Sequence, residues 1–271
     1  MKLSYLQKSA LFSTIMLAVW EFNLIFPEQK KFITLGSLLL VLLVLALIYD
    51  ANFNFSKNKL KKRLLYLFDL KFWKVNFSYL ILPLFLAVNT AAFVKLTPIF
   101  ALRQLVILIS LVAFYLTLLY THKVFANKLK HQTASLIVFT IVKIYTAFIS
   151  FTPIYGLLRD GRISILIAAV YAFSVAVVLF YQAFQKIKAQ VLAEKLLGAG
   201  ILCASATFLA YKLGLDLLFA SLLMTLAFYL SWGLWGYSVK EKQKLKFSFE
   251  YLVLGVLVLI VMIVNNPGQI L

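Results

Sequence analysis

Acidic side chains, cysteine and histidine are all scarce in this chain. Its 271 residues hold 9 Asp and Glu, one Cys and two His. A single thiol, Cys203, cannot close an internal disulfide, and it says nothing about redox compartment. His122 and His131 share one short basic segment with no Cys or acidic neighbour, so they lack the donor set a zinc site draws on. No paired-glutamate motif, Gly-x-Ser-Gly nucleophile or phosphate-cradling glycine loop occurs. No metal or other cofactor is therefore expected, no catalytic residue is assigned, and the reading leans away from an enzyme. Charge of any sign is also sparse. Charged residues make up 13% of the chain and hydrophobic ones 63%, against about 25% and about 45–50% in ordinary globular domains. A soluble fold could not bury so much apolar surface.

What is present is a series of long apolar runs. A helix needs about 20 mostly apolar residues to cross a hydrocarbon core about 30 Å thick. Nine stretches meet that requirement: 10–26, 32–50, 77–95, 99–121, 133–155, 163–184, 196–212, 217–237 and 249–264. Transmembrane barrels show short alternating segments instead, whereas Leu38 to Ile48 and Leu252 to Val264 are unbroken aliphatic runs. The expected fold class is all-α, with residues 1–271 forming one polytopic transmembrane domain of about nine helices. The first run follows Lys2 and Lys8 as a signal peptide would, but no small-x-small site follows it and Glu21 interrupts it. It is read as retained.

Lysine and arginine set the orientation. Nineteen of the 27 fall in the N-terminal segment and in the second, fourth, sixth and eighth gaps between runs, six fall in the other gaps, and Arg103 and Lys143 lie inside runs. The positive-inside rule makes the rich set cytoplasmic, which puts the N-terminus inside and the C-terminus outside. Strict alternation of rich and poor gaps supports the number nine, since one missed or invented span would break it. Trp73, Trp232 and Trp235 then fall near the inner interface and Trp20 toward the outer one, the usual depth of amphipathic rings. Lysine greatly outnumbers arginine, as in an AT-rich genome, and a bacterial cytoplasmic membrane is the expected home.

The only sizeable extramembrane piece is the inner segment from Ala51 to Asn76. Leu60, Leu64, Leu67 and Phe68 fall on one helical face of it, with Lys61, Lys62 and Lys71 away from that face. This predicts an amphipathic helix in the membrane interface after the second span, with Lys59, Lys61, Lys62 and Arg63 against anionic lipid headgroups. Membrane lipids are thus the expected partners. Nucleic acid is not expected, because orientation and lipid attraction already explain the net charge of +18.

Several runs carry polar residues at helical spacing. Arg103, Ser110, Thr117 and Thr121 share one face of the fourth run, and Thr133, Thr140, Lys143, Ser150 and Pro153 one face of the fifth. The sixth has Ser164, Tyr171, Ser174 and Tyr181; the third has Asn89 and Thr90 in its outer half. These faces are expected to turn inward, where hydroxyls bond to their own helix or to a neighbour. Gly198, Ala199, Gly200, Cys203, Ala204 and Ala206 form a small-residue surface for close packing of the seventh run.

Charges inside runs ask for more. At about 1.5 Å per residue, Glu21 lies about 8 Å and Arg103 about 6 Å below the outer ends of their runs, and Asn89 falls at a similar depth. These three are expected in one layer, with Glu21 and Arg103 paired or Arg103 snorkelling outward. Lys143, about 15 Å from either end, is the deepest charge. An ammonium there must be paired, deprotonated, hydrated or facing an anion. The loop Gly156-Leu157-Leu158-Arg159-Asp160-Gly161-Arg162 adds charge over the outer opening, or is an ordinary polar turn.

These residues predict a substrate-translocating protein, transporter or flippase-like. Its outward-opening cavity would involve Glu21, Asn89, Arg103, Lys143, Tyr171 and Asp160 and take an anionic or lipid-linked substrate. The alternative is a non-catalytic subunit or scaffold of a membrane complex. A third class follows from topology. The inner loops after the second and sixth runs read Asp50-Ala-Asn-Phe-Asn54-Phe-Ser-Lys-Asn58 and Gln185-Lys-Ile-Lys-Ala-Gln-Val-Leu-Ala-Glu194. Nine spans with an inside N-terminus resemble the intramembrane prenyltransferase superfamily, and that resemblance implies Asp-rich, metal-diphosphate motifs in those two loops. The chain departs from that pattern, with one acid per loop where clustered carboxylates would hold Mg²⁺-diphosphate.

Overall fold

The computed structural model describes residues 5–25, 70–97, 99–125, 132–181 and 189–235, and every regular element among them is an α-helix. In chain order these are α1 (Tyr5–Ile25), α2 (Leu70–Leu96), α3 (Phe100–Phe125), α4 (Gln132–Arg159), α5 (Ile165–Tyr181), α6 (Ala189–Lys212) and α7 (Leu217–Trp235). Three segments among the described residues are long and apolar enough to cross a membrane: Phe100–Thr121, Ile137–Arg159 and Ala193–Lys212. They coincide with the fourth, fifth and seventh expected spans. Shorter apolar stretches, Ser9–Phe22, Ile81–Leu96, Ile165–Tyr181 and Leu217–Gly233, match the first, third, sixth and eighth. The expected spans 32–50 and 249–264 lie outside the described residues. So do the interfacial segment with Lys59, Lys61, Lys62 and Arg63, and His131.

Two boundaries move. Residues 70–76, assigned above to the inner segment, are the first turns of α2. Residues 156–159, assigned to an outer loop, are the last turn of α4, which runs through Pro153 before it stops.

The distribution of side chains is inverted relative to a water-soluble bundle. Leu105, Leu108, Val112, Ile141, Leu166 and Ile201 are each more than half exposed. Among the described residues the buried polar ones are, apart from Asn89 and Lys143, all Ser or Thr. Exposed aliphatic faces of this extent suit contact with hydrocarbon rather than water.

The chain forms two compact units, Met1–Thr146 and Ala147–Leu271, and the division falls inside α4. In the first unit α1, α2 and α3 pack on one another. Trp20 is fully buried there; its Nε1–H donates to the Ala87 carbonyl at 3.3 Å and its ring meets Phe114 edge-on at 6.3 Å. The expected interface anchor is thus a core residue, because a carbonyl acceptor within reach removes the indole's need for water.

In the second unit α5 and α6 make the most extensive contact. A Cβ on Gly200 would come within 2.5 Å of the Phe173 ring, so the small-residue surface of α6 does admit a close neighbour. Phe180, Phe228 and Trp232 form an aromatic cluster, with Phe180 edge-on to Phe228 at 5.4 Å and to Trp232 at 5.1 Å. Trp232, expected near the inner interface, is buried.

Tight corners join three helix pairs. α2 ends at Leu96 and Thr97 is already non-helical, as the residue that precedes a proline in the sequence tends to be. After α4, Gly161 takes φ 68, with Arg162 N–H donating to the Leu157 carbonyl at 2.9 Å and Gly161 N–H to that of Leu158 at 3.0 Å. After α6, Gly214 takes φ 61, with the matching pair Leu215 to Ala210 and Gly214 to Tyr211, both 3.1 Å. Both are Schellman ends, which place glycine in the left-handed region. Each leads into a capped helix: Ser164 Oγ accepts from Ile167 N–H at 3.4 Å, and Asp216 Oδ1 from Phe219 N–H at 2.9 Å.

Candidate functional site

The polar stripe of α3 does turn inward: Ser110, Thr117 and Thr121 are buried and Arg103 is half-buried. On α4, Lys143, Ser150 and Pro153 are buried and Thr140 is half-buried. The stripe of α5 does not follow. Ser164, Ser174 and Tyr181 are exposed and Tyr171 is half-buried, while Ala168, Ala172, Ala176 and Phe180 face the core. The expectation fails for two local reasons. Ser164 caps the helix, and Ser174 satisfies its own hydroxyl on the Val170 carbonyl at 2.8 Å, so an exposed face costs it no hydrogen bond.

Most buried hydroxyls are spent locally. Ser13, Thr90, Thr117, Thr146, Thr152, Thr207, Ser221, Thr225 and Ser231 each donate to the carbonyl four residues back. Asn89 Nδ2 does the same with Phe85 at 2.8 Å. One network crosses between helices. Thr90 Oγ1 on α2 donates to Ser110 Oγ on α3 at 2.8 Å, Ser110 shares a hydrogen bond of 2.7 Å with the Tyr145 hydroxyl on α4, and Tyr145 donates to the Val106 carbonyl at 3.0 Å.

Of the two expectations for Arg103, pairing with Glu21 or snorkelling outward, the side-chain contacts match the second. Glu21 Oε2 accepts from Gln104 Nε2 at 3.4 Å, while Arg103 turns its Nε–H to the Thr97 carbonyl at the α2–α3 corner. The glutamate is therefore held by a neutral amide rather than by the arginine. Arg103 reaches back toward the end of its own helix, which is the snorkelling geometry a long cationic side chain adopts near a helix terminus. Asp160 lies on the exposed Schellman turn, 3.6 Å from Arg162 Nε, and Tyr171 lies in the same unit. Glu21, Asn89, Arg103 and Lys143 all belong to the first unit.

Lys143 is the one buried charged residue among those described. It is 5% exposed, lies within the crossing segment Ile137–Arg159, and is engaged rather than free. Among the described residues no three His, Cys, Asp or Glu side chains converge as a metal site requires.

Three residues with defined roles were not singled out in the sequence: Gln104, Tyr145 and Tyr155. Gln104 follows Arg103 directly and was hidden by its charge. Tyr145 lies off the seven-residue stripe of α4, so spacing alone gave no sign of it. Tyr155 donates to the carbonyls of Ala210 and Leu215 at 3.1 and 3.0 Å, acceptors that exist only once the α6–α7 corner has formed. No protein-family model, no curated protein and no solved structure matches this chain.

Proposed function

We propose that the chain is a nine-span protein of a bacterial cytoplasmic membrane, N-terminus inside, that translocates an anionic or lipid-linked substrate. Lys143 is the residue that meets the substrate's anionic group. The observation that carries this reading is a lysine buried within a helix of crossing length, in the N-terminal third of the apolar segment Ile137–Arg159. A cation at the centre of a span costs about 2.5–3.5 kcal/mol on insertion scales, and an anionic substrate group beside Lys143 would offset such a cost. Lys59, Lys61, Lys62 and Arg63 hold the inner side of the protein to anionic headgroups in this reading.

A second reading, a non-catalytic subunit of a membrane complex, is favoured by the local use of the buried hydroxyls, which is what helix packing by itself requires. A thermal-shift screen separates the two. Anionic lipids, polyprenyl phosphates and small organic anions are tested on the wild type and on Lys143→Met. Translocation predicts at least one compound that raises the wild-type melting temperature and leaves the mutant unmoved, since a ligand stabilises only the state it binds. If no compound distinguishes the two proteins, the anion-binding role of Lys143 is lost and the subunit reading takes its place.

A further inference from the structure

We infer that α4 is a hinge helix, shared by the two compact units and built to bend between Tyr145 and Tyr155. The inference does not depend on a substrate. Four observations converge on that eleven-residue stretch. The boundary between the units, Thr146 to Ala147, falls inside one unbroken helix rather than in a loop. On the N-terminal side, the Tyr145 hydroxyl is fixed to α3 by Ser110 and the Val106 carbonyl, both within the first unit. On the C-terminal side, the Tyr155 hydroxyl is fixed to the Ala210 and Leu215 carbonyls, both within the second. Between the two tyrosines lies Pro153, which is buried.

Proline supplies no N–H to the carbonyl four residues back, here Ile149, and its ring crowds that carbonyl, so the hydrogen-bond ladder is open at this point. Thr146 and Thr152 donate their hydroxyls to the Val142 and Phe148 carbonyls at 2.7 and 2.9 Å. Such back-bonding draws on carbonyls that otherwise serve the ladder alone, and it bends helices. Each half of α4 is thus tied to its own unit by a tyrosine hydroxyl, and the stretch between the ties is the weakest part of the helix. Rigid-body rocking of one bundle against another is how many transporters alternate access, and a scaffold protein would use the same device to adapt to a partner.

The test measures motion directly. Spin labels are placed on the full chain in lipid nanodiscs, in a Cys203→Ala background, at exposed Leu108 of the first unit and exposed Leu209 of the second. A pair within the second unit, Leu166 and Leu209, serves as the reference. A kink change of about 20° over an arm of about 20 Å displaces its end by about 7 Å. The distance distribution across the units should be broader than the reference by about that amount. Pro153→Ala, which restores the N–H, should narrow it toward the reference width. An inter-unit distribution as narrow as the reference in the wild type overturns the hinge, whether or not the Pro153 variant folds. So does a broad distribution that a folded Pro153→Ala variant leaves unchanged.

Discussion

A half-buried carboxylate in an apolar segment can be held by a cation or by an amide, and the two have different consequences. A Glu–Arg pair is a fixed dipole, strongly destabilised when either partner is removed. The Glu21–Gln104 contact is a hydrogen bond between a charged acceptor and a neutral donor, and its 3.4 Å separation places it at the weak end. Its coupling should therefore resemble other interhelical hydrogen bonds in membranes. A double-mutant cycle with Glu21→Ala and Gln104→Leu, read as unfolding free energy in detergent, should give about 1 kcal/mol. The corresponding cycle of Glu21 with Arg103 should stay within the additivity error of about 0.3–0.5 kcal/mol. A larger coupling to Arg103 than to Gln104 would contradict the arrangement of side chains at the α1–α3 contact.

The sequence made the depth of Glu21 and Arg103 visible but not their partners. Depth follows from position along a helix, which a regular rise per residue determines. Partnership follows from helix rotation and from acceptors that only the fold creates. The Thr97 carbonyl that takes Arg103 is such an acceptor, available because α2 ends at Leu96. The same distinction explains Trp20. Its position near a helix end read as an interfacial ring, and only the nearby Ala87 carbonyl shows why it can be buried.

At the scale of elements, the second unit repeats one design. α4 and α6 both end on a left-handed glycine, Gly161 and Gly214, and α5 and α7 both begin at a polar cap, Ser164 and Asp216. Counted from those caps, α5 buries Ala168, Ala172 and Ala176, while α7 buries Ala220, Met224 and Phe228 at the same offsets. The faces match in register and differ in size. Small residues on α5 suit its close contact with α6, and larger ones on α7 fill the space around Phe180.

Glycine does two different jobs in this unit, and substitution separates them. At Gly161 nothing lies within 4 Å of an added Cβ, so Gly161→Ala should cost only the left-handed backbone penalty, about 1–2 kcal/mol. At Gly200 the backbone is helical, and alanine is favoured there by propensity. The added methyl nevertheless meets the Phe173 ring at 2.5 Å, and overpacking of that kind costs about 1–3 kcal/mol. Gly200→Ala should lower the melting temperature, and Phe173→Leu in the same chain should restore part of the loss. Equal stability of the wild type and Gly200→Ala would show that α5 and α6 are not in such close contact. The small-residue surface of α6 was legible as a pattern in the sequence. Which ring fills it was not, because the neighbour is a property of packing and not of spacing. The α5 stripe failed for the opposite reason. Four polar residues recurred on one face, but among the described residues the helices of the second unit meet the alanine face opposite, which provided the better surface for packing.

At the scale of the whole molecule, the three tight corners test the charge count from an independent direction. The segments 97–99, 160–164 and 213–216 join helices by a few residues each, and all three fall in gaps that hold few lysines and arginines. Short connections between long helices join antiparallel neighbours, and the helices joined at 97–99 and at 213–216 do pack on each other, so the chain reverses at those two. The reading of nine spans with the N-terminus inside makes these corners external and the four lysine-rich gaps internal. Single cysteines at Asn58, Asn127, Gly161 and Gln269, in a Cys203→Ala background, address this directly in intact cells. An impermeant thiol reagent should label the Gly161 and Gln269 positions from outside and reach the Asn58 and Asn127 positions only after the membrane is opened. Gly161 is exposed on its turn, so failure to label it cannot be ascribed to burial within the unit. Labelling of the Asn58 and Gly161 positions from the same side requires an even number of crossings between them, where the nine-span reading has three. That outcome would remove a span or add one in the segment 70–159, and with it the assignment of Lys143 to the interior of a crossing helix.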